Sequence, residues 1–144
     1  GQVAFAKLLV EDIRTPSSLK LLGGFRTVAG RIDVKAAGLF GLVAAARALA
    51  IRYHVMARST PARLGAVKAL IKVSAGDLDT LAEVQGVFLD LIVSQQVEDI
   101  AHGIPPSNAV SVRRLSARDR ERLRGALRAV TMIDDLIRDL LFKD

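Results

Sequence analysis

Residues 77–103 read DLDTLAEVQGVFLDLIVSQQVEDIAHG, and the spacing of their apolar members decides the fold. Leu81, Val84, Phe88, Leu91 and Ile92 recur at steps of three and four, the period of one face of an α-helix. Asp77 reads as the N-cap and Gly103 as the residue that stops the chain from coiling further. The spacing therefore predicts one long helix from Asp77 to about His102. Carried on at the same steps, its buried face lands on Gln95, Asp99 and His102. That face is apolar in its first turns and polar in its last. A buried polar group without a partner costs about 1–3 kcal/mol. This end of the helix should thus be a bonded polar network, the wall of a wet pocket, or a helix end emerging into solvent.

The same reading extends outward in both directions. Asp33 reads as the N-cap of a helix over Val34 to Tyr53, with Leu39, Leu42, Val43, Ala46, Leu49, Ala50 and Tyr53 as its apolar stripe. Thr60-Pro61, an N-cap followed by proline at the first helical position, opens a shorter helix to about Val73. Ser74-Ala75-Gly76 breaks the chain before the long helix. Ser116 caps a last helix, with Asp119 three residues on, and Leu123, Leu127, Val130, Ile133, Ile137 and Leu141 form its apolar face. Ile104 to Val112, with Pro105-Pro106, reads as a loop. The expected fold is all-α, an antiparallel helical bundle of about four to five helices over residues 33–144. A short helix is expected over residues 1–14, from the pattern at Val3 to Ile13. Residues 15–32, with Gly23, Gly24 and Gly30 and no sustained period, read as an irregular connector with some extended backbone. The pattern starts in mid-helix at Gly1, so the 144 residues are expected to be the C-terminal fragment of a larger protein.

Composition narrows the class. The length suits one domain. Apolar residues make up 51% and charged residues 25% of the chain, which is globular rather than disordered. With one tyrosine, no tryptophan and few phenylalanines, the core must be aliphatic and closely packed. There are no cysteines, which removes disulfides, thiolate metal sites and a cysteine nucleophile together. The longest apolar run, Ala36 to Ala46, lies between Lys35 and Arg47 and is too short to span a bilayer. No signal-peptide pattern opens the chain, and a cytoplasmic location is expected.

The formal charge is +6. Much of the basic excess lies between Arg113 and Arg128, which reads first as a solvated helix face. No aromatic side chain interleaves with these arginines, which argues against a stacking platform for single-stranded nucleic acid.

Catalytic patterns are missing from the sequence. Asp134 and Asp135 are adjacent and point to different sides of a helix, so they cannot clamp one atom together. Asp77 and Asp79 favour the positive end of a helix dipole and need no further explanation. There is no nucleophile elbow, phosphate-cradling loop or His-Glu-x-x-His. His54 and His102 are isolated and read as structural, and no metal site is expected. Gly38 and Gly41 read as close-packing positions.

Two places break local rules. The first is Gly30-Arg31-Ile32-Asp33-Val34-Lys35. A lysine in the first turn faces the positive end of the helix dipole, and helical angle sets Lys35 beneath Leu39 and Leu42 on the core-facing stripe. With Arg31 just before the turn, two cations and free backbone N–H groups form a field suited to a carboxylate or phosphate. Local pairing of Asp33 with Arg31 or Lys35 explains the same residues without a ligand. The second place is the polar end of the long helix. Antiparallel packing would bring the two together, so that Arg31, Lys35, Gln95 and Asp99 line one cavity.

These residues also carry a family resemblance. Gly30-Arg31-Ile32-Asp33-Val34-Lys35, the Gly38-Leu39 helix and Ala45-Ala46-Arg47-Ala48-Leu49-Ala50 resemble the nucleotidyltransferase substrate-binding domain. So do Ser59-Thr60 with Arg63-Leu64, Gln95-Gln96, the Gly103…Pro106…Asn108 loop, and Leu115-Ser116 with Arg122-Leu123. The similarity runs from about Phe5 to Phe142. Ser94-Gln95 stands where that family commonly has a basic residue and a histidine.

The resemblance implies a helical domain at the C-terminus of bacterial signal-transduction proteins. It would follow a nucleotidyltransferase domain similar to the protein-PII uridylyltransferases, often with CBS or cyclic-nucleotide-binding modules further upstream. That parent enzyme would use Mg2+ and a nucleotide, whereas this domain would be non-catalytic and hold no cofactor. On this reading Arg31 and Lys35 steer an anionic group, a nucleotide phosphate or an acidic protein surface. Arg47 supports them from the edge of the stripe, Asp33 caps the turn, and Gln95, Asp99 and Asn108 supply orienting hydrogen bonds. The alternative is a dimerisation module whose long helices pair with a second copy and which has no ligand site.

Overall fold

A computed structural model describes residues 18–20, 24–71 and 75–142, with the backbone alone at 134 and 141. The helical pattern at Val3 to Ile13 lies outside the described residues. The fold is predominantly helical, as the periodicity predicts, with one two-stranded ribbon at an end of the bundle.

The ribbon is the first departure from the sequence reading. Strand β1 (Arg31–Asp33) pairs antiparallel with β2 (Ala109–Ser111), in the register Arg31 to Ser111, Ile32 to Val110 and Asp33 to Ala109. The second strand lies inside the segment expected to be a loop. Strands of three residues have no room for a periodic signal, and this pair joins segments remote in sequence. Ile32 and Val110, opposite each other at the centre of the ribbon, are both buried. Before β1 the chain turns tightly at Val28–Arg31, where the two residues exchange backbone hydrogen bonds of 2.9 and 3.0 Å. Ala29 and Gly30 take positive φ values of 53° and 75°, the conformation of a tight primed turn.

From Asp33 the chain enters a helix whose first turn is π-helical, Lys35–Leu39, continuing as α1 (Phe40–Arg52). Asp33 caps it as expected, Oδ1 accepting from the Ala36 N–H at 3.0 Å. The N–H of Phe40 donates to the Lys35 carbonyl, five residues back. Helix α1 ends at Tyr53, and His54 adopts φ 54°, the left-handed position usually given to glycine. Val55 N–H then reaches back to the Ala50 carbonyl at 2.8 Å, closing the end of the helix.

Helix α2 (Thr60–Leu70) is capped by Ser59, not Thr60: the Ser59 hydroxyl accepts from Ala62 N–H, while Thr60 is buried as the first helical residue. Helix α3 (Ala75–Ala101) begins two residues before Asp77, which therefore sits in the first turn rather than at the cap. Its end follows the sequence reading closely. Gly103 has φ 68°, Gly103 N–H donates to Ile100 O, and Ile104 N–H donates to Asp99 O at 2.8 Å, a Schellman closure.

Helix α4 (Ala117–Thr131) starts at the Ser116 cap, whose hydroxyl accepts from Asp119 N–H. The sequence predicts one last helix, but the chain bends at Met132 and resumes as α5 (Ile133–Phe142). The Thr131 hydroxyl donates to the Arg128 carbonyl at 2.6 Å, competing with the helical ladder where the bend occurs. The bend lets Leu136, Ile137 and Leu140 pack into the core, and the Tyr53 hydroxyl on the α1 end donates to the Leu140 carbonyl.

The helices form one aliphatic core in which α1 packs on α2, α2 on α3, α3 on α4, and α5 returns to α1. Phe88, Leu42, Leu49, Leu64, Leu78, Leu91, Leu123 and Ile137 are all fully buried in it. Gly38 explains how Phe88 fits. A methyl group at Gly38 would lie 2.6 Å from the Phe88 Cε2 atom, so the ring occupies the place of a side chain.

A polar network at the ribbon end of the bundle

The buried stripe of α3 runs as predicted from Leu81 through Phe88 to Gln95 and Asp99, each of the last two only 1% exposed. His102, expected to continue the stripe, is exposed and bonded to Glu98, because the helix closes at that point. The polar end of α3 does meet Arg31, and what forms there is a bonded network.

Gln95 sits at its centre. Its Nε2 donates to Asp99 Oδ1 at 2.8 Å, one helical turn on. Its Oε1 accepts two bonds, from the Ser111 backbone N–H at 2.8 Å and from Arg114 Nε at 3.1 Å. The surroundings fix the amide orientation, since a flipped carboxamide would set its NH2 against two donors. Arg31 Nη2 donates to the same Asp99 oxygen at 3.2 Å, while Arg31 Nη1 donates to the Ala109 carbonyl at 3.1 Å. Arg114 Nη1 donates to the Ser94 hydroxyl at 3.2 Å. The network therefore ties both strands of the ribbon, and the turn after it, to the last turns of α3.

Its electrostatics are asymmetric. Burial pushes the Asp99 carboxyl upward, but the hydrogen bonds from Gln95 and Arg31, the Arg31 charge and the Ser107 backbone N–H outweigh it. The net result is a carboxyl held below the ordinary value of 3.8. Arg31 bonds this carboxylate while Arg114 bonds the neighbouring Gln95 amide oxygen, so two guanidinium charges stand in a network that holds one carboxylate. Two polar atoms of the network, Arg114 Nη2 and Asp99 Oδ2, are buried without a hydrogen bond. The Arg31 side chain is 31% exposed, so the cationic side of the network reaches the surface.

The other expected site residues fall around this centre or outside it. Asn108 sits at its edge: its carbonyl accepts from Val34 N–H at 3.1 Å, and its side chain accepts from Gln96 Nε2 at 3.5 Å. Asp33 is occupied in capping the first turn. Lys35 is exposed rather than core-facing. The π-helical turn holds one residue more than an α-turn, so counting back from Leu39 by the α period gives the wrong face. Arg47 is exposed on the outer side of α1. Neither cation makes an ion pair or side-chain hydrogen bond among the described residues.

Arg114 is the residue the sequence reading passes over. It lies in the turn between β2 and α4, inside a basic run that otherwise behaves as a solvated face. Within that run Arg122 bridges Asp90 and Asp119, and Arg124 pairs with Glu121 and lies over the Phe25 ring. The one signal pointing to Arg114 is its place before the Ser116 cap, outside the helical period.

A cavity of about 190 Å³ lies at a different place, between the start of α3 and the bend at Met132. Asp77, Asp135 and Asp139 line it, a wall of the wrong sign for an anion. Among the described residues, no group of three histidine, cysteine or acidic side chains is placed to hold a metal ion. Among the same residues, no helix is long and apolar enough to cross a membrane.

Among curated proteins and among solved structures, none matches this chain. A family model does, and its description is "Putative nucleotidyltransferase substrate binding domain". The match extends over residues 2–139 and so takes in the ribbon, the network and every helix that carries them. The chain belongs to that family of nucleotidyltransferase substrate-binding domains.

Proposed function

We propose that this domain holds an oxyanion of a nucleotidyltransferase's substrate, a phosphate or carboxylate, at the ribbon end of the bundle and contributes no catalytic group itself. The observation that carries this reading is the shared bracing of Arg31 and Arg114. Both guanidinium groups are oriented by one buried pair, Gln95 and Asp99, and together they exceed the single carboxylate by one charge. A guanidinium fixed in place loses little freedom when it binds an anion and presents planar, bidentate donors. Asn108 supplies a polar edge, while exposed Lys35 and Arg47 act at longer range by drawing anions toward this end. Catalysis, Mg2+ and the nucleotide would belong to a nucleotidyltransferase domain elsewhere in the parent protein.

Calorimetric titration of the chain with a nucleoside triphosphate and with inorganic phosphate at low salt tests this. Wild-type protein should bind, and Arg114→Gln should weaken binding by at least roughly tenfold with an unchanged helical circular dichroism spectrum. Equal binding by both proteins would take Arg114 out of the site, and no binding by either would remove the site.

A further inference from the structure

We propose that the outer face of α3 pairs with the same face of a second copy of this chain, the two helices running antiparallel. Helix α3 is apolar on two sides. One side is the core stripe ending in Gln95 and Asp99. The other carries Leu89, Val93, Val97 and Ile100, with Ile104 just past the helix end, and these five side chains are between 42% and 64% exposed. Their steps of four, four and three place the helical members along one line of the cylinder. A surface helix of a globular protein normally carries one apolar stripe, facing the core, and charged or polar residues opposite it. This patch amounts to on the order of 400 Å² of aliphatic surface, within the range of the largest patch on a typical monomer, which is often functional.

Charge and area point to a second copy as the occupant. No charged residue lies in the stripe, and α3 holds no lysine or arginine along its length. Two acids on its polar flanks already have cationic partners within the chain: Asp79 with Lys68 and Asp90 with Arg122. A stripe whose rim is neutralised from within asks for no opposite charge from its partner. An identical apolar stripe fits it, with isologous two-fold symmetry. The antiparallel direction follows from the position of Asp90 beside one end of the stripe. A parallel pair would set the two Asp90 carboxylates side by side. The antiparallel pair separates them by roughly 13–14 Å along the helix axis and opposes the two helix dipoles. Two such patches with their flanks reach the lower end of specific interfaces, roughly 1,000–1,200 Å² in total, so the dimer should be weak and micromolar.

The chain has no cysteine, which makes single-cysteine variants unambiguous. Sedimentation equilibrium should show concentration-dependent dimerisation of the wild type. Val97→Glu, at a position exposed in the monomer, should raise the dissociation constant at least roughly tenfold without altering the circular dichroism. With a short bis-maleimide, a mixture of Leu89→Cys and Ile100→Cys should give cross-linked dimer, whereas each variant alone should give little. A wild type that stays monomeric at several hundred micromolar would overturn the proposal. Val97→Glu dimerising like wild type would do the same, and efficient cross-linking of either cysteine variant by itself would overturn the antiparallel pairing.

Discussion

The side-chain amide of Gln95 stands 2.8 Å from Asp99 Oδ1, one turn along α3, with both residues 1% exposed. This contact lets one helix present an acceptor to the ribbon and a carboxylate to an arginine from the same buried face. Replacing Gln95 with alanine would strand the Ser111 N–H and Arg114 Nε without their acceptor and leave a void beside them. The expected cost is roughly 3 kcal/mol, read as a lowered urea midpoint at unchanged slope. A loss below about 1 kcal/mol would mean that the network is not what holds the ribbon.

Acid should weaken this end of the protein through Asp99. Its carboxyl titrates lower in the folded chain than the ordinary value of 3.8, because the bonds from Gln95 and Arg31 outweigh burial. The folded state therefore binds fewer protons there than the unfolded chain. The stabilisation is complete above the unfolded carboxylate value, about 4, and is lost as pH falls through the lower folded value. Urea midpoints at pH 6 and pH 3 should fall further apart for the wild type than for Asp99→Asn. An equal fall in both proteins would exclude Asp99 as a source of the acid sensitivity.

Gly38 and Phe88 make a paired prediction. A Cβ at residue 38 would sit 2.6 Å from the Cε2 atom of the ring, and the ring is completely buried, so neither group can yield easily. Gly38→Ala should destabilise by about 1–3 kcal/mol despite the better helix propensity of alanine. Adding Phe88→Leu should make the alanine far less costly than it is alone. Strict additivity of the two changes in denaturant melts would contradict direct contact as the cause.

The start of α2 separates two adjacent hydroxyls. Ser59→Ala removes the acceptor for Ala62 N–H and should cost about 1 kcal/mol. Thr60→Val keeps the buried shape of the residue and loses no cap, so it should cost less. The reverse order, measured as thermal midpoints, would restore Thr60 as the cap.

The bundle was legible because its helices obey one rule over long stretches. The core face of α3, the caps at Asp33 and Ser116, and the Gly103 closure all follow from period and end chemistry. The polar end of the stripe followed too, since Gln95 and Asp99 fall on the same face as Phe88. What the period could not show is where that rule is interrupted. The π-helical turn shifted Lys35 off the face that counting assigned to it. Met132 marks a bend with no proline or glycine to announce it. The ribbon joins Arg31 to Ser111 across most of the chain, and no local pattern encodes such a pairing. Arg114 was hidden for the same reason: its importance comes from Gln95, nineteen positions earlier, and not from its neighbours in the basic run.

The most direct measurement of the binding claim is an NMR titration that follows the arginine Nε–H and glutamine side-chain amide signals while a nucleoside triphosphate is added. If Arg31 and Arg114 are the anion's contacts, their signals and that of Gln95 should shift together and saturate at one common midpoint. Shifts confined to the exposed arginines between Arg118 and Arg128, with Arg31, Arg114 and Gln95 unmoved, would contradict it.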